Sequence, residues 1–169
     1  KPTTATVRAS NVSICQDTFV LTGNTPIVGE GTWELLSGDV DFALNSDPKT
    51  VASNIREGLN LLRWNINNAN CTSTALLRLS YDYVEADAGI DEVICLDSTV
   101  LNANEPRAGT GEWTVIPGFG RAAFSDRNYQ FASVKDLKKG ENYLKWTIRN
   151  GSCISTDTVI VLNDSLTDS

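Results

Sequence analysis

Apolar and polar residues alternate through Leu62-Arg63-Trp64-Asn65-Ile66-Asn67, and again through Leu144-Lys145-Trp146-Thr147-Ile148-Arg149. A period of two is the pattern of a strand with one buried face. Both runs belong to a longer pattern, G-x-N-x-L-[RK]-W-x-I-x-N-x-x-C, found at Gly58–Cys71 and Gly140–Cys153. Its opening Gly and Asn read as turn chemistry, and the closing Asn-x-x-Cys reads as a further turn.

The remaining pattern predicts short strands separated by turn residues. Residues 1–14 carry Val7, Val12 and Ile14 among small polar positions and fit an edge strand. Phe19-Val20-Leu21, Gly29 to Leu36, and Phe42 with Leu44 follow as strands, and Ala75 to Tyr83 closes the set. Asn24-Thr25-Pro26 and Asp47-Pro48 read as turns between them. Cys95, Gly109, Gly111, Trp113 and Gly118 then lie 80 residues after Cys15, Gly29, Gly31, Trp33 and Gly38, while Gly140, Trp146 and Cys153 lie 82 after their counterparts. A two-residue insertion therefore falls between, at the loop Gly118-Phe119-Gly120-Arg121. The expectation is an all-β chain of two tandem β-sandwich modules, residues 1–84 and 85–169, joined by a short boundary.

Modules of that size have thin cores, so an added tie is expected. The four cysteines occur two per repeat, 56 positions apart at Cys15 and Cys71 and 58 apart at Cys95 and Cys153. They are read as one intradomain disulfide in each module, worth about 4 kcal/mol by chain entropy, in an oxidising compartment. Zinc is disfavoured because the chain has no histidine and no C-x-x-C spacing. Trp33, Trp64, Trp113 and Trp146 lie on the apolar phase of their strands, which favours core packing over stacking on sugar rings.

The formal charge of −7 argues against nucleic acid, and no apolar run approaches the ~20 residues that span a bilayer. With no histidine and with paired cysteines, the usual general base and thiolate nucleophile are missing, so no enzyme is expected. The chain contains no methionine, and the expectation is a processed product or a segment of a longer protein.

Two site hypotheses remain. Phe119, Arg121 and Tyr129 lie in the loops over 117–131 of the second module, where such folds commonly bind partners. Asp82, Glu85, Asp87 and Asp91 gather near the module boundary as candidate ligands for Ca²⁺, which takes six to eight oxygens; the alternative is a solvated acidic linker.

Ala86-Asp87-Ala88-Gly89-x-Asp91-x-x-x-Cys95, Leu101-x-Ala103-Asn104, Gly109-Thr110-Gly111-x-Trp113-Thr114-Val115 and Trp146-Thr147-Ile148-x-Asn150-Gly151-x-Cys153 resemble the tandem Ig-like (PKD-like) repeats of Bacteroidota cell-surface adhesins. Gliding-motility adhesins such as SprB belong to that group. The resemblance covers the whole chain, more closely in the second copy than in the first. It implies a stalk or body segment of a large adhesin, exported across the outer membrane by type IX secretion to the cell surface. Its partners would be neighbouring repeats, an extracellular surface or polysaccharide, or motility and secretion proteins. It also suggests O-glycans at Ser98, Thr158 and Ser165, each preceded by Asp. The competing function is a polysaccharide- or protein-binding module that uses the loops over 117–131.

Overall fold

The computed structural model describes residues 1–165, and the chain divides into two units, Lys1–Tyr83 and Val84–Ser169. The first unit contains β1 (Asn11–Ile14), β2 (Phe19–Val20), β3 (Glu30–Ser37), β4 (Asp41–Phe42), β5 (Val51–Ser53), β6 (Gly58–Asn68) and β7 (Cys71–Tyr81). The second contains β8 (Glu92–Ile94), β9 (Thr99–Val100), β10 (Thr110–Val115), β11 (Ala123–Phe124), β12 (Ser133–Lys135), β13 (Gly140–Asn150) and β14 (Cys153–Asn163). No helix occurs among the described residues.

Each unit pairs a four-stranded sheet with a three-stranded one. In the first unit the orders are β1-β7-β6-β3 and β2-β5-β4; in the second they are β8-β14-β13-β10 and β9-β12-β11. The repeated motif builds the long strand β6 or β13 and the tight hairpin after it. The loop residues are Ala69-Asn70 in one copy and Gly151-Ser152 in the other. Ala69 and Gly151 have φ of 50° and 54°, the left-handed geometry that two-residue hairpin loops favour.

Strand alternation puts one tryptophan from each of two neighbouring strands on the core face. Trp33 lies opposite Trp64, and Trp113 opposite Trp146, in the antiparallel registers. In both units the ring centroids are 5.1 Å apart at 42°, and all four rings are essentially inaccessible. The neighbouring glycines make this packing fit. A Cβ at Gly31 would collide with the Trp64 ring, and one at Gly111 with the Trp146 ring. Buried tryptophans cannot serve as a sugar platform.

The motif's first Asn is not a turn residue, while its closing Asn-x-x-Cys forms the expected hairpin turn. Asn60 and Asn142 are fully buried strand residues. Asn60 Nδ2 donates to the Arg56 and Gly58 carbonyls at 2.8 and 3.1 Å, and its Oδ1 accepts from Asp39 N–H at 3.0 Å. Asn142 does the same with the Lys138 and Gly140 carbonyls and the Lys138 N–H. A buried polar group must be bonded, and here the amide fastens the preceding loop to the strand. The turn itself falls to Gly58 and Gly140, at φ of 87° and 90°.

The expected Cys15–Cys71 and Cys95–Cys153 bridges do not form. Cys71 and Cys95 are exposed free thiols, whereas Cys15 and Cys153 are disulfide-bonded. Register explains this. β1 runs parallel to β7 with Ile14 level with Tyr81, so Cys15 lies beside the end of an 11-residue strand that Cys71 begins. Likewise Ile94 is level with Asn163, which puts Cys95 beside the far end of the 11-residue strand begun by Cys153. At about 3.3 Å per residue the separation is roughly 33 Å, against the ~4.4–6.8 Å between Cα atoms that a disulfide spans.

Candidate functional site

The best-built feature shared by both units is the join between the incoming chain and the last strand. In the first unit the chain enters beside the start of β7, where Ala5 N–H donates to Ser73 Oγ at 2.9 Å. It runs alongside β7 and joins it in parallel from Asn11 to Ile14. Backbone bonds extend the ladder at both ends, from Arg78 N–H to Ser10 O at 2.8 Å and from Asp82 N–H to Ile14 O at 2.9 Å. Asp82 closes it, accepting from Ser13 Oγ and Ser80 Oγ, each at 2.5 Å.

The second unit repeats the plan with different side chains. Ala86 N–H donates to Ser155 Oγ, Ala88 N–H to Asp157 Oδ2, and Ile160 N–H to Asp91 Oδ1. β8 then pairs in parallel with Val161–Asn163, and Asp164 N–H reaches Ile94 O at 2.8 Å. On the other side of the entering segment, Asn24 and Asn104 act as amide clips. Asn24 accepts from Thr6 N–H and donates to Thr4 O; Asn104 accepts from Asp87 N–H and donates to Glu85 O. These bonds align Thr4-Ala5-Thr6 with Glu85-Ala86-Asp87, an offset of 81 that becomes 80 by Val12 and Glu92. The first repeat thus enters in the same way, with Thr4-Ala5-Thr6 where the second has Glu85-Ala86-Asp87, one residue out of step. That slip is why simple spacing hid it.

The proposed calcium ligands are engaged in this join. Asp82 binds two serine hydroxyls, Asp91 caps the Ile160 amide, and Asp87 Oδ1 accepts from Gly89 N–H at 2.9 Å. Glu85 contributes its backbone carbonyl. Among the described residues no three Asp, Glu, Cys or His side chains gather as a metal-ligand set. Asp82 serves the join of the first unit, and Asp87 and Asp91 serve that of the second.

The aromatic loop residues form two separate pairs. Phe119 packs on Tyr143 at 4.8 Å between centroids, and its carbonyl accepts from Tyr143 N–H. Tyr129 meets Phe131 edge-on at 5.7 Å. Asn128 beside it donates to Gly111 O, and Gly111 is level with Ile148, five positions along β13 from Tyr143. That offset is about 17 Å, so Phe119 and Tyr129 do not make one patch. Both remain about half exposed. Arg121 is exposed, while Arg127 lies over the Phe124 ring at 5.2 Å. The Tyr143 hydroxyl donates to Glu141 Oε2 at 3.0 Å, and that bond, aided by desolvation, raises its pKa.

Ser98 is exposed, whereas Thr158 and Ser165 are partly covered, Thr158 within β14.

Two features differ between the copies. In the first unit Glu34 faces Arg63 across the β3–β6 ladder, with Arg63 Nη2 2.7 Å and Asn65 Nδ2 2.9 Å from the same carboxylate oxygen. The Arg63 bond, then the Asn65 bond, hold the Glu34 pKa below its ordinary value. In addition, an open groove of about 730 Å³ is lined by Val7, Val12, Phe19, Val20, Val51 and Leu77. The second unit has Glu92 and Thr99 where the first has Val12 and Phe19, and Thr99 Oγ1 donates to Glu92 at 3.0 Å. Comparing the two copies position by position would have revealed this difference from sequence.

No protein-family model and no curated protein matches this chain. Among solved structures it is similar to extracellular domains 3–5 of Drosophila OTK, at 11% identity and a TM-score of 0.51, over 96% of this chain and 59% of that one. Other matches are the four N-terminal Ig domains of Dscam1 isoform 9.44 (11% identity, TM-score 0.49, 96% of this chain and 46% of that one) and BT4661 (14%, 0.38, 98% and 35%). The last is a SusE-like surface-located polysaccharide-binding protein of Bacteroides thetaiotaomicron. This chain spans about 59% of the OTK chain that it matches. At such identity the likeness shows the fold: tandem Ig-like β-sandwiches.

Proposed function

We propose that this chain is a non-catalytic repeat segment of an extracellular adhesive protein, and that its units transmit tension. The parallel pairing of first and last strands in both units carries this reading. The chain enters a unit beside the start of the last strand and leaves from that strand's end. Tension between the two ends therefore acts along the strands in shear. All ladder bonds then load together, instead of opening one at a time as in a hairpin pulled from its open end. Ser13–Asp82 in one unit and Asp91–Ile160 in the other add side-chain bonds to the same shear plane.

Single-molecule pulling tests this. Val12→Pro, within the β1 ladder, should lower the rupture force of the first unit more than Leu62→Ala does, even when Leu62→Ala costs as much equilibrium stability. Rupture forces that follow stability alone would overturn the proposal.

The finer assignment, a surface segment of a Bacteroidota type IX-secreted adhesin of the gliding-motility kind, draws its support from the motif resemblance alone. A second reading draws on the half-exposed Phe119 and Tyr129, since exposed aromatic rings can stack on sugars. It makes the second unit a polysaccharide-binding module. Replacing Phe119, Arg121 and Tyr129 with alanine would abolish saturable polysaccharide binding on that reading and leave a mechanical segment unchanged.

A further inference from the structure

Cys71 and Cys95 are exposed free thiols. Each occupies the position whose counterpart in the other repeat is disulfide-bonded. Cys71 corresponds to Cys153, the residue that begins the last strand, and Cys95 corresponds to Cys15, the residue that follows the first strand. The two bonded residues are thus one of each kind, and so are the two free ones.

Within one repeat these two positions cannot meet. They flank opposite ends of an 11-residue strand, roughly 33 Å apart, far beyond the reach of a disulfide. A bridge from either position must leave its own repeat. Exposed thiols also oxidise readily where disulfides persist.

We propose that Cys71 and Cys95 form disulfides with further copies of this repeat, joining a cysteine that begins a last strand to one that follows a first strand. Cys71 takes a partner at the position Cys95 holds, and Cys95 takes a partner at the position Cys71 holds. Two thiols give up two protons and two electrons to form the S–S bond, and a small-molecule disulfide accepts them and is released as two thiols. The further copy is either a neighbouring repeat in the same polypeptide or a repeat in a second chain. The proposal needs only the repeat architecture and stands apart from the mechanical reading.

The test is incubation of the 169-residue chain with reduced and oxidised glutathione, followed by non-reducing electrophoresis and peptide mapping. Ladders of oligomers whose new links join Cys71 of one chain to Cys95 of another are expected. Cys71→Ser should remove the ladder and leave no more than dimers linked through Cys95. A single polypeptide carrying two copies in tandem separates the two sources. Dilute monomer bridged from Cys95 of the first copy to Cys71 of the second supports an in-chain neighbour. Intermolecular ladders alone support a second chain. Glutathione-capped monomers, a Cys71–Cys95 bridge inside one 169-residue chain, or links of like cysteines as frequent as unlike ones would each overturn the proposal.

Discussion

The Ser13 hydroxyl donates to the Asp82 carboxylate at 2.5 Å. This bond ties the first strand of one unit to the residue that follows its last strand. Asp82 also accepts from Ser80, so removing its charge loses two bonds. Asp82→Ala should destabilise the first unit by about 1–2 kcal/mol, and Ser13→Ala by somewhat less. Urea denaturation would show both, and neither should alter the second unit.

Asn142 is buried and satisfies several backbone groups in and around the loop before β13. Asn142→Ala removes all of those bonds at once. The expected cost is about 1–3 kcal/mol, read by denaturation of the second unit. Asn142→Asp should also destabilise, because a carboxylate cannot donate to the Lys138 and Gly140 carbonyls.

Gly111 faces the Trp146 ring so closely that a Cβ would collide with it. Gly111→Ala should cost about 1–3 kcal/mol by overpacking and perturb the near-UV signal of the tryptophan pair. Glu112→Ala on the exposed side of the same strand should do neither.

The lowered pKa of Glu34 comes first from its bond to Arg63, then from Asn65. A carboxyl whose folded pKa is depressed adds stability above its unfolded pKa and loses that contribution as pH falls through the folded value. NMR titration should find the Glu34 midpoint below the ordinary glutamate range, and Arg63→Ala should return it upward. The second unit has Thr114 and Lys145 at these positions and should lack this acid-sensitive contribution.

Thiol labelling distinguishes the observed cysteine arrangement from the one expected from spacing. Iodoacetamide should modify Cys71 and Cys95 in the native, unreduced monomer, and all four cysteines after reduction in denaturant. Protection of all four in the monomer before reduction would point instead to two bridges inside the chain.

Local pattern alone determined most of the strands, the repeat, the two-sandwich architecture and the burial of the four tryptophans; it did not show Val51–Ser53, the middle strand of its sheet. Alternation and turn residues act over a few positions, and the side of a strand is decided by a period of two. Partners distant in sequence could not be read that way. Matched spacing made Cys15–Cys71 and Cys95–Cys153 look like natural pairs, but the parallel register of the first and last strands sets them a full strand apart. Asn60 looked like a turn residue because its bonds to the preceding loop exist only once that loop folds back over the sheet. Asp82, Asp87 and Asp91 looked like converging ligands in a linear chain, yet each is taken up by bonds within its own unit: Asp82 by Ser13 and Ser80, Asp87 by Gly89 and Asp91 by Ile160. What a residue prefers was legible in the sequence; what lies beside it was decided by strand register, which depends on the packing of the whole unit.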